Sequence, residues 1–151
     1  VVCSKADIID PNITEAAFML GAEYKEDGTY DEDYVRDLLQ GLVALGPKKA
    51  VLTGVSLEPG RCGVYGLDGQ TGEYFSYFHE LVDARFHGTG DVFSSTTVGA
   101  LLNGFSLDKA LAVAADYTVA CIKETISHPD HNWYGVDFET EIPYLLKLIG
   151  K

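Results

Sequence analysis

Two short apolar runs separated by helical patterns constrain this chain more than anything else in it. ADIID (6–10) is ended by Pro11, and KAVLTGVS (49–56) follows some forty residues later. Each has the length and composition of a buried strand. The segment between them has helical periodicity. PNITEAAFMLG (11–21) predicts a helix capped by Asn12, with Glu15 three residues on and Gly21 as its stop. KEDGTYDED (25–33) is a polar loop, in which Thr29 and Glu32 have capping-box spacing. The next helix carries Val35, Leu38, Leu39, Leu42 and Val43 on one face and is stopped at Gly46-Pro47. RCGVYGLD (61–68) and GEYFSYFHELV (72–82) flank GQTG and predict a hairpin. After residue 88 the pattern is helical almost to the end. One helix spans about 90–103, a second runs from a Ser106 cap to about 126, and a last one covers about 138–149. Strand–helix–strand order followed by packed helices predicts an α/β fold built as a layered sheet.

With 151 residues the chain is long enough for one domain with a real core. Its formal charge of -12 argues against non-specific nucleic-acid binding, which needs a basic face. A nucleotide stays compatible, because a nest of backbone N–H groups binds phosphate even in an acidic protein. Cys3, Cys62 and Cys121 are widely spaced and form no CxxC pair, so reduced thiols in a cytoplasmic protein are expected. No apolar run has the length of a membrane span, no signal peptide is read, and no membrane partner is expected. The chain opens VVCSKADIID, without Met, like the approach to a strand.

The segment HGTGDVFSS (87–95) places two glycines just before a predicted helix. Free N–H groups and the helix dipole make such an end an anion site, and glycine lets the backbone come close. Asp91 would repel a phosphate unless it has a task there. Accepting the proton of an alcohol that attacks the phosphate is such a task. Alternatively, Thr89 or Asp91 merely caps the helix, and the glycines serve a tight turn.

ADIIDPNITEAAFMLG, then VLTGV, then HGTGDVFSSTTVGALLNG resemble, in order and spacing, the C-terminal half of a ribokinase-like kinase. Within that superfamily the chain is similar to the vitamin B6 branch, the pyridoxal (pyridoxine, pyridoxamine) kinases. The resemblance implies a three-layer ribokinase-like α/β fold, with residues 1–151 as its C-terminal, ATP-binding and catalytic-base portion. Asn12 and Glu15 match the N-x-x-E motif that organises Mg2+ and the ATP phosphates, largely through water, and they can form a helix cap as well. Thr53 and Gly54 match the strand end lining the nucleotide phosphates; a core strand ending in a turn is the plainer alternative. Gly88, Thr89 and Gly90 match the anion hole, and Asp91 matches the catalytic base. Glu80, Leu81 and Val82 match, by position alone, a segment bordering the adenine.

The related hydroxymethylpyrimidine kinases resemble this chain at ADII and HGTG but typically carry cysteine where Asp91 stands. The aspartate therefore favours a B6 vitamer as acceptor. ATP and that vitamer are the expected partners, a homodimer is compatible, and Mg2+ is the expected cofactor. A hydroxymethylpyrimidine kinase, a nucleotide-binding module without catalysis, and a folded but incomplete part of a larger enzyme are the alternatives. The resemblance also implies that an upstream half supplies most of the acceptor pocket. A bare sheet edge or face, self-association, and no turnover by these 151 residues alone are then expected.

Other residues invite weaker readings. His128 and His131 are close enough to suggest a metal pair, although Pro129 and polar neighbours favour a surface loop. His87 faces the phosphates or packs beside the loop. The nine tyrosines and Trp133 fall mostly at core spacing, so packing is preferred to a stacking site.

Overall fold

The computed structural model describes residues 2–84, 86–130 and 134–151. They form two compact units, one ending at Leu81 and the other beginning at Val82. The first contains a four-stranded sheet in sequential order: β1 (Ile8–Ile9), β2 (Lys49–Val55), β3 (Arg61–Asp68) and β4 (Glu73–Glu80). Between β1 and β2 lie two helices, α1 (Ile13–Leu20) and α2 (Glu32–Ala44). β1 pairs parallel to β2, as a helical crossover requires, and the other two pairings are antiparallel. β1 and β4 are the edge strands of this sheet among the described residues. The fold is α/β, as predicted.

Alternation along β2 sets the layers. Ala50, Leu52 and Val55 join Tyr65 and Leu67 of β3 in a core against Ile13 and Ala16 of α1 and Val35, Leu38, Leu39 and Leu42 of α2. These are the α2 residues predicted for one face, except that Val43 is only partly buried. On the other face of the hairpin, Gly66 lies opposite Phe75. A Cβ at Gly66 would sit 2.0 Å from the Phe75 ring, so the ring occupies space that only glycine leaves open.

A polar cluster fixes α2 on the hairpin. Arg36 donates from Nη2 to Glu32 Oε1 at 2.6 Å, and the Tyr65 hydroxyl donates to the same oxygen. The Tyr65 hydroxyl and Arg36 both lower the Glu32 carboxyl below its ordinary range. The Arg36 guanidinium also lies 4.7 Å from the centre of the Tyr74 ring.

The second unit is helical: α3 (Thr89–Leu102), α4 (Leu107–Ser127) and α5 (Ile142–Leu148). Phe93, Thr96, Thr97 and Ala100 are buried on α3, and Ala110, Leu111, Ala114, Tyr117 and Cys121 are buried on α4. The approach to α5 is tied to α4 by the Tyr117 hydroxyl donating to Phe138 O at 2.6 Å and by Asp137 N–H donating to Thr125 Oγ1 at 2.8 Å.

Three local expectations are corrected. The Thr29–Glu32 capping box does not form. Asp31 caps α2 instead, accepting from Tyr34 N–H at 3.0 Å, while the Thr29 hydroxyl donates to Glu26 O at 2.7 Å. Ser106 stands at the N-cap of α4 without capping it, because its hydroxyl serves the Asp108 carboxylate. The last helix starts at Ile142 rather than near 138, because Asp137 Oδ1 accepts from the Thr140 hydroxyl and holds a turn there.

Candidate active site

The first unit brings together two of the predicted motifs. Asn12 is the N-cap of α1: its side chain accepts from Glu15 N–H at 2.8 Å, and Glu15 Oε2 accepts from Asn12 N–H at 3.0 Å. This reciprocal box satisfies two amides that the helix cannot pair. It also uses only one Glu15 oxygen. Oε1 has no partner among the described residues, and Glu15 is exposed.

Thr53 sits beside this cap. It bridges in parallel to Asn12, and its N–H donates to Pro11 O at 3.0 Å. The pairing of β2 with β3 shifts register between Thr53 and Val55. The residue inside the shift is Gly54, exposed and at φ +68°, a left-handed conformation in which other residues are strained. The bulge frees the backbone of Gly54 from the ladder at the end of β2, beside the α1 terminus.

One contact at this strand end has no signal in the sequence pattern. The N–H of Ser56, just past β2, donates to the Tyr30 hydroxyl at 2.8 Å. Tyr30 is buried at the end of the 22–31 loop, 26 residues away in the chain. Among the other predicted positions in this unit, Glu80 ends β4, and Leu81 donates its N–H to Gly60 O at 2.8 Å with its side chain exposed.

Val82 opens the second unit, and its carbonyl accepts from Ala84 N–H at 2.8 Å. Gly88 is the N-cap of α3, at φ +83° and ψ -5°. Gly88 has no side chain with which to cap this end. The first amide with a helical partner is that of Val92, which donates to Gly88 O at 3.0 Å. The backbone N–H groups of Thr89, Gly90 and Asp91 thus precede the helical ladder, as an anion site needs. Among the described residues neither candidate makes a capping bond. Thr89 Oγ1 donates to Phe86 O at 3.3 Å, pointing back along the chain, and no capping bond comes from Asp91. A Cβ built on Gly90 meets nothing within 4 Å, so the protein's own packing does not demand glycine there. Asp91 lies exposed in the first turn, and among the described residues none donates to its carboxylate.

The remaining candidates stay outside these groupings. His87 is exposed. His128 Nε2 lies 3.0 Å from Glu124 Oε1, whereas His131 and Trp133 fall outside the described residues. Tyr30, Tyr65 and Tyr117 are buried, as packing predicts, but Phe18 is 89% exposed on α1. A cavity of about 310 Å3 is lined by Thr125, His128, Asp130 and residues 134–139 and contains none of the predicted site residues. No helix among the described residues is long and apolar enough to cross a membrane.

Comparison with known proteins gives these motifs a family. The chain is 30% identical over 132 residues to the pyridoxine kinase of Bacillus subtilis, covering 86% of this chain and 46% of that protein. It is 31% identical over 122 residues to the hydroxymethylpyrimidine/phosphomethylpyrimidine kinase of Aquifex aeolicus, covering 79% of this chain and 44% of that one. The chain thus spans about half the length of the curated relatives it matches. A candidate phosphomethylpyrimidine kinase of Bacteroides thetaiotaomicron, crystallised with pyridoxal, superposes with a TM-score of 0.86 at 31% identity, over 95% of this chain and 50% of its own. The pyridoxal kinase of Lactobacillus plantarum superposes with a TM-score of 0.79 at 30% identity, over 95% of this chain and 50% of its own. The family model of the phosphomethylpyrimidine kinases matches residues 1–134, and the chain belongs to that family of ribokinase-like kinases.

Proposed function

We propose that the protein to which this chain belongs transfers the γ-phosphoryl group of ATP to the hydroxymethyl group of a B6 vitamer. The observation that carries this proposal is the start of α3: a row of amides that precedes the helical ladder after a left-handed glycine, with Asp91 exposed beside it. Amides there stabilise charge on the transferring phosphoryl group. Asp91 accepts the proton of the acceptor hydroxyl, whose oxygen bonds to the γ-phosphorus as the bond to the β-phosphate oxygen breaks and ADP leaves.

Asn12, Glu15, Thr53 and Gly54 belong to the nucleotide side of this proposal, with Glu80, Leu81 and Val82 along the base. Glu15 suits a hard cation such as Mg2+, since one of its carboxylate oxygens has no partner among the described residues after the helix is capped. Bound there, Mg2+ would neutralise phosphate charge. The described residues contain no group of three or more His, Cys, Asp or Glu able to hold a metal, so water and phosphate oxygens would complete its coordination.

The B6 acceptor is supported by Asp91, where the pyrimidine kinases that this chain resembles typically carry cysteine, and by the pyridoxal in the Bacteroides relative's crystals. Hydroxymethylpyrimidine is the second reading, favoured by the Aquifex relative and by the family model. A substrate panel on the full-length protein separates them. The proposal expects a higher kcat/KM for at least one of pyridoxal, pyridoxine and pyridoxamine than for hydroxymethylpyrimidine. The reverse order establishes the second reading.

A further inference from the structure

We infer that Tyr30 is a positioning residue for the nucleotide site, holding the Thr53–Gly54 strand end in place through the backbone N–H of Ser56. The inference rests on the nucleotide role proposed for Thr53 and Gly54.

The geometry brackets those two residues. On one side, Thr53 N–H is fixed to Pro11 O at 3.0 Å. On the other, Ser56 N–H is fixed to the Tyr30 hydroxyl at 2.8 Å. Between the anchors lies the Gly54 bulge, where the β2–β3 ladder is out of register. A bulge loosens the local ladder, and although Thr53 and Val55 still pair with Val64 and Gly63 of β3, residues 53–56 also lean on these flanking anchors. Only one of these comes from outside the strand–helix motif, and that one is Tyr30.

The phenol is built for this task. Tyr30 is 7% exposed and belongs to the hydrophobic core, so its ring cannot swing away. Its hydroxyl accepts from Ser56 and donates to Asp27 Oδ1 at 3.3 Å, which orients its lone pairs toward the amide. Burial pushes the phenol up to about 12, keeping the donated proton in place at any working pH. Tyr34, four residues on, has its ring centre 5.6 Å from that of Tyr30 and tilted by 38°, and its hydroxyl donates to Glu23 O rather than reaching β2. It is the natural control.

The experiment compares Tyr30→Phe and Tyr34→Phe with wild type in the full-length protein. Steady-state kinetics give KM for ATP, KM for the acceptor and kcat. Amide hydrogen exchange of residues 53–56 is followed with and without ADP. Tyr30→Phe should raise KM for ATP about tenfold, the scale of one unpaired amide, with the acceptor KM within about twofold of wild type. Tyr34→Phe should change neither by more than about twofold. In wild type, ADP should slow exchange of the 53–56 amides, a result independent of whether the variant folds. An unchanged ATP KM in folded Tyr30→Phe overturns the inference, as does ADP binding that leaves residues 53–56 unprotected. A wild-type protein that binds no nucleotide overturns the functional proposal itself and the inference with it.

Discussion

Glu15 has two assigned tasks, and a single substitution can separate them. As a cap, it accepts from Asn12 N–H at 3.0 Å through one oxygen; as a magnesium organiser, it uses its charge and the other oxygen. Glu15→Gln keeps an acceptor oxygen of the same reach, and Gln closes a capping box as Glu does. What it removes is the charge, which at an exposed helix N-terminus contributes about 0.3–1 kcal/mol. Asn12→Ala does the opposite: Glu15 keeps its carboxylate while its own N–H loses the acceptor at 2.8 Å. Losing such a cap costs about 1 kcal/mol. In a protein of this size class that lowers Tm by about 2–4 °C. The assay, on the full-length protein, is a thermal melt together with a magnesium titration of the kinase rate at saturating ATP and acceptor. Glu15→Gln should melt within about 4 °C of wild type, by the same scaling. Its magnesium midpoint should nevertheless rise roughly tenfold, the usual scale for a group that orders metal-bound water. If the midpoint stays put while Asn12→Ala lowers Tm as worked out above, Glu15 is a helix cap and nothing more.

The other predictions concern the base, the α3 entry and the buried thiol. Asp91→Asn should leave ADP affinity within about twofold while cutting kcat by about 10²-fold or more, the scale of a lost general base; calorimetry and steady-state rates read the two. Near-normal kcat removes Asp91 from the chemistry. Gly88→Ala meets no atom within 4 Å, so its cost is conformational, about 1–2 kcal/mol for holding φ +83°, and a denaturant titration should show it without loss of helix content. Burial raises the Cys121 thiol to about 11, from 9.0. Between these values the unfolded chain gives up this proton and the folded one keeps it, so stability falls as pH rises through that window. Chemical denaturation at pH 8, 9 and 10 should show a decline that Cys121→Ala reduces; an equal decline in both proteins assigns the effect elsewhere, with Tyr30 and Tyr117, both pushed up to about 12, as the next contributors.

Much of this arrangement is written in short-range pattern. The spacing of Asn12 and Glu15 predicts the cap that forms, and the face carrying Leu38, Leu39 and Leu42 is the face that packs. Such features depend on residues three or four apart, which helix geometry forces together. Competition between neighbouring side chains is harder to read. Thr29, Asp31 and Ser106 all belong to cap-forming types, and which of them caps is decided by what else each hydroxyl or carboxylate can reach. Sequence order alone does not rank those choices. Contacts across the fold lie further out of reach: nothing in GTYDED announces that Tyr30 will meet Ser56, since the meeting depends on how α1 and α2 lay the loop against the end of β2. At the second motif, GTGD already contains the free helix terminus and the exposed carboxylate, because both follow from glycine preceding a helix.

The space that Gly66 leaves for the ring of Phe75 has a consequence for how this family can diverge. A Cβ at 66 would sit 2.0 Å from that ring, so alanine there requires the Phe75 ring across the strand to move from its present place. The reverse step, shrinking position 75 first, leaves an unfilled hollow on that face of the hairpin and loses its packing. A change at either position draws a response from the other. Homologous hairpins are therefore expected to show the two changing hand in hand: glycine opposite an aromatic in some lineages, a small aliphatic opposite a slimmer partner in others, and mixed pairs seldom.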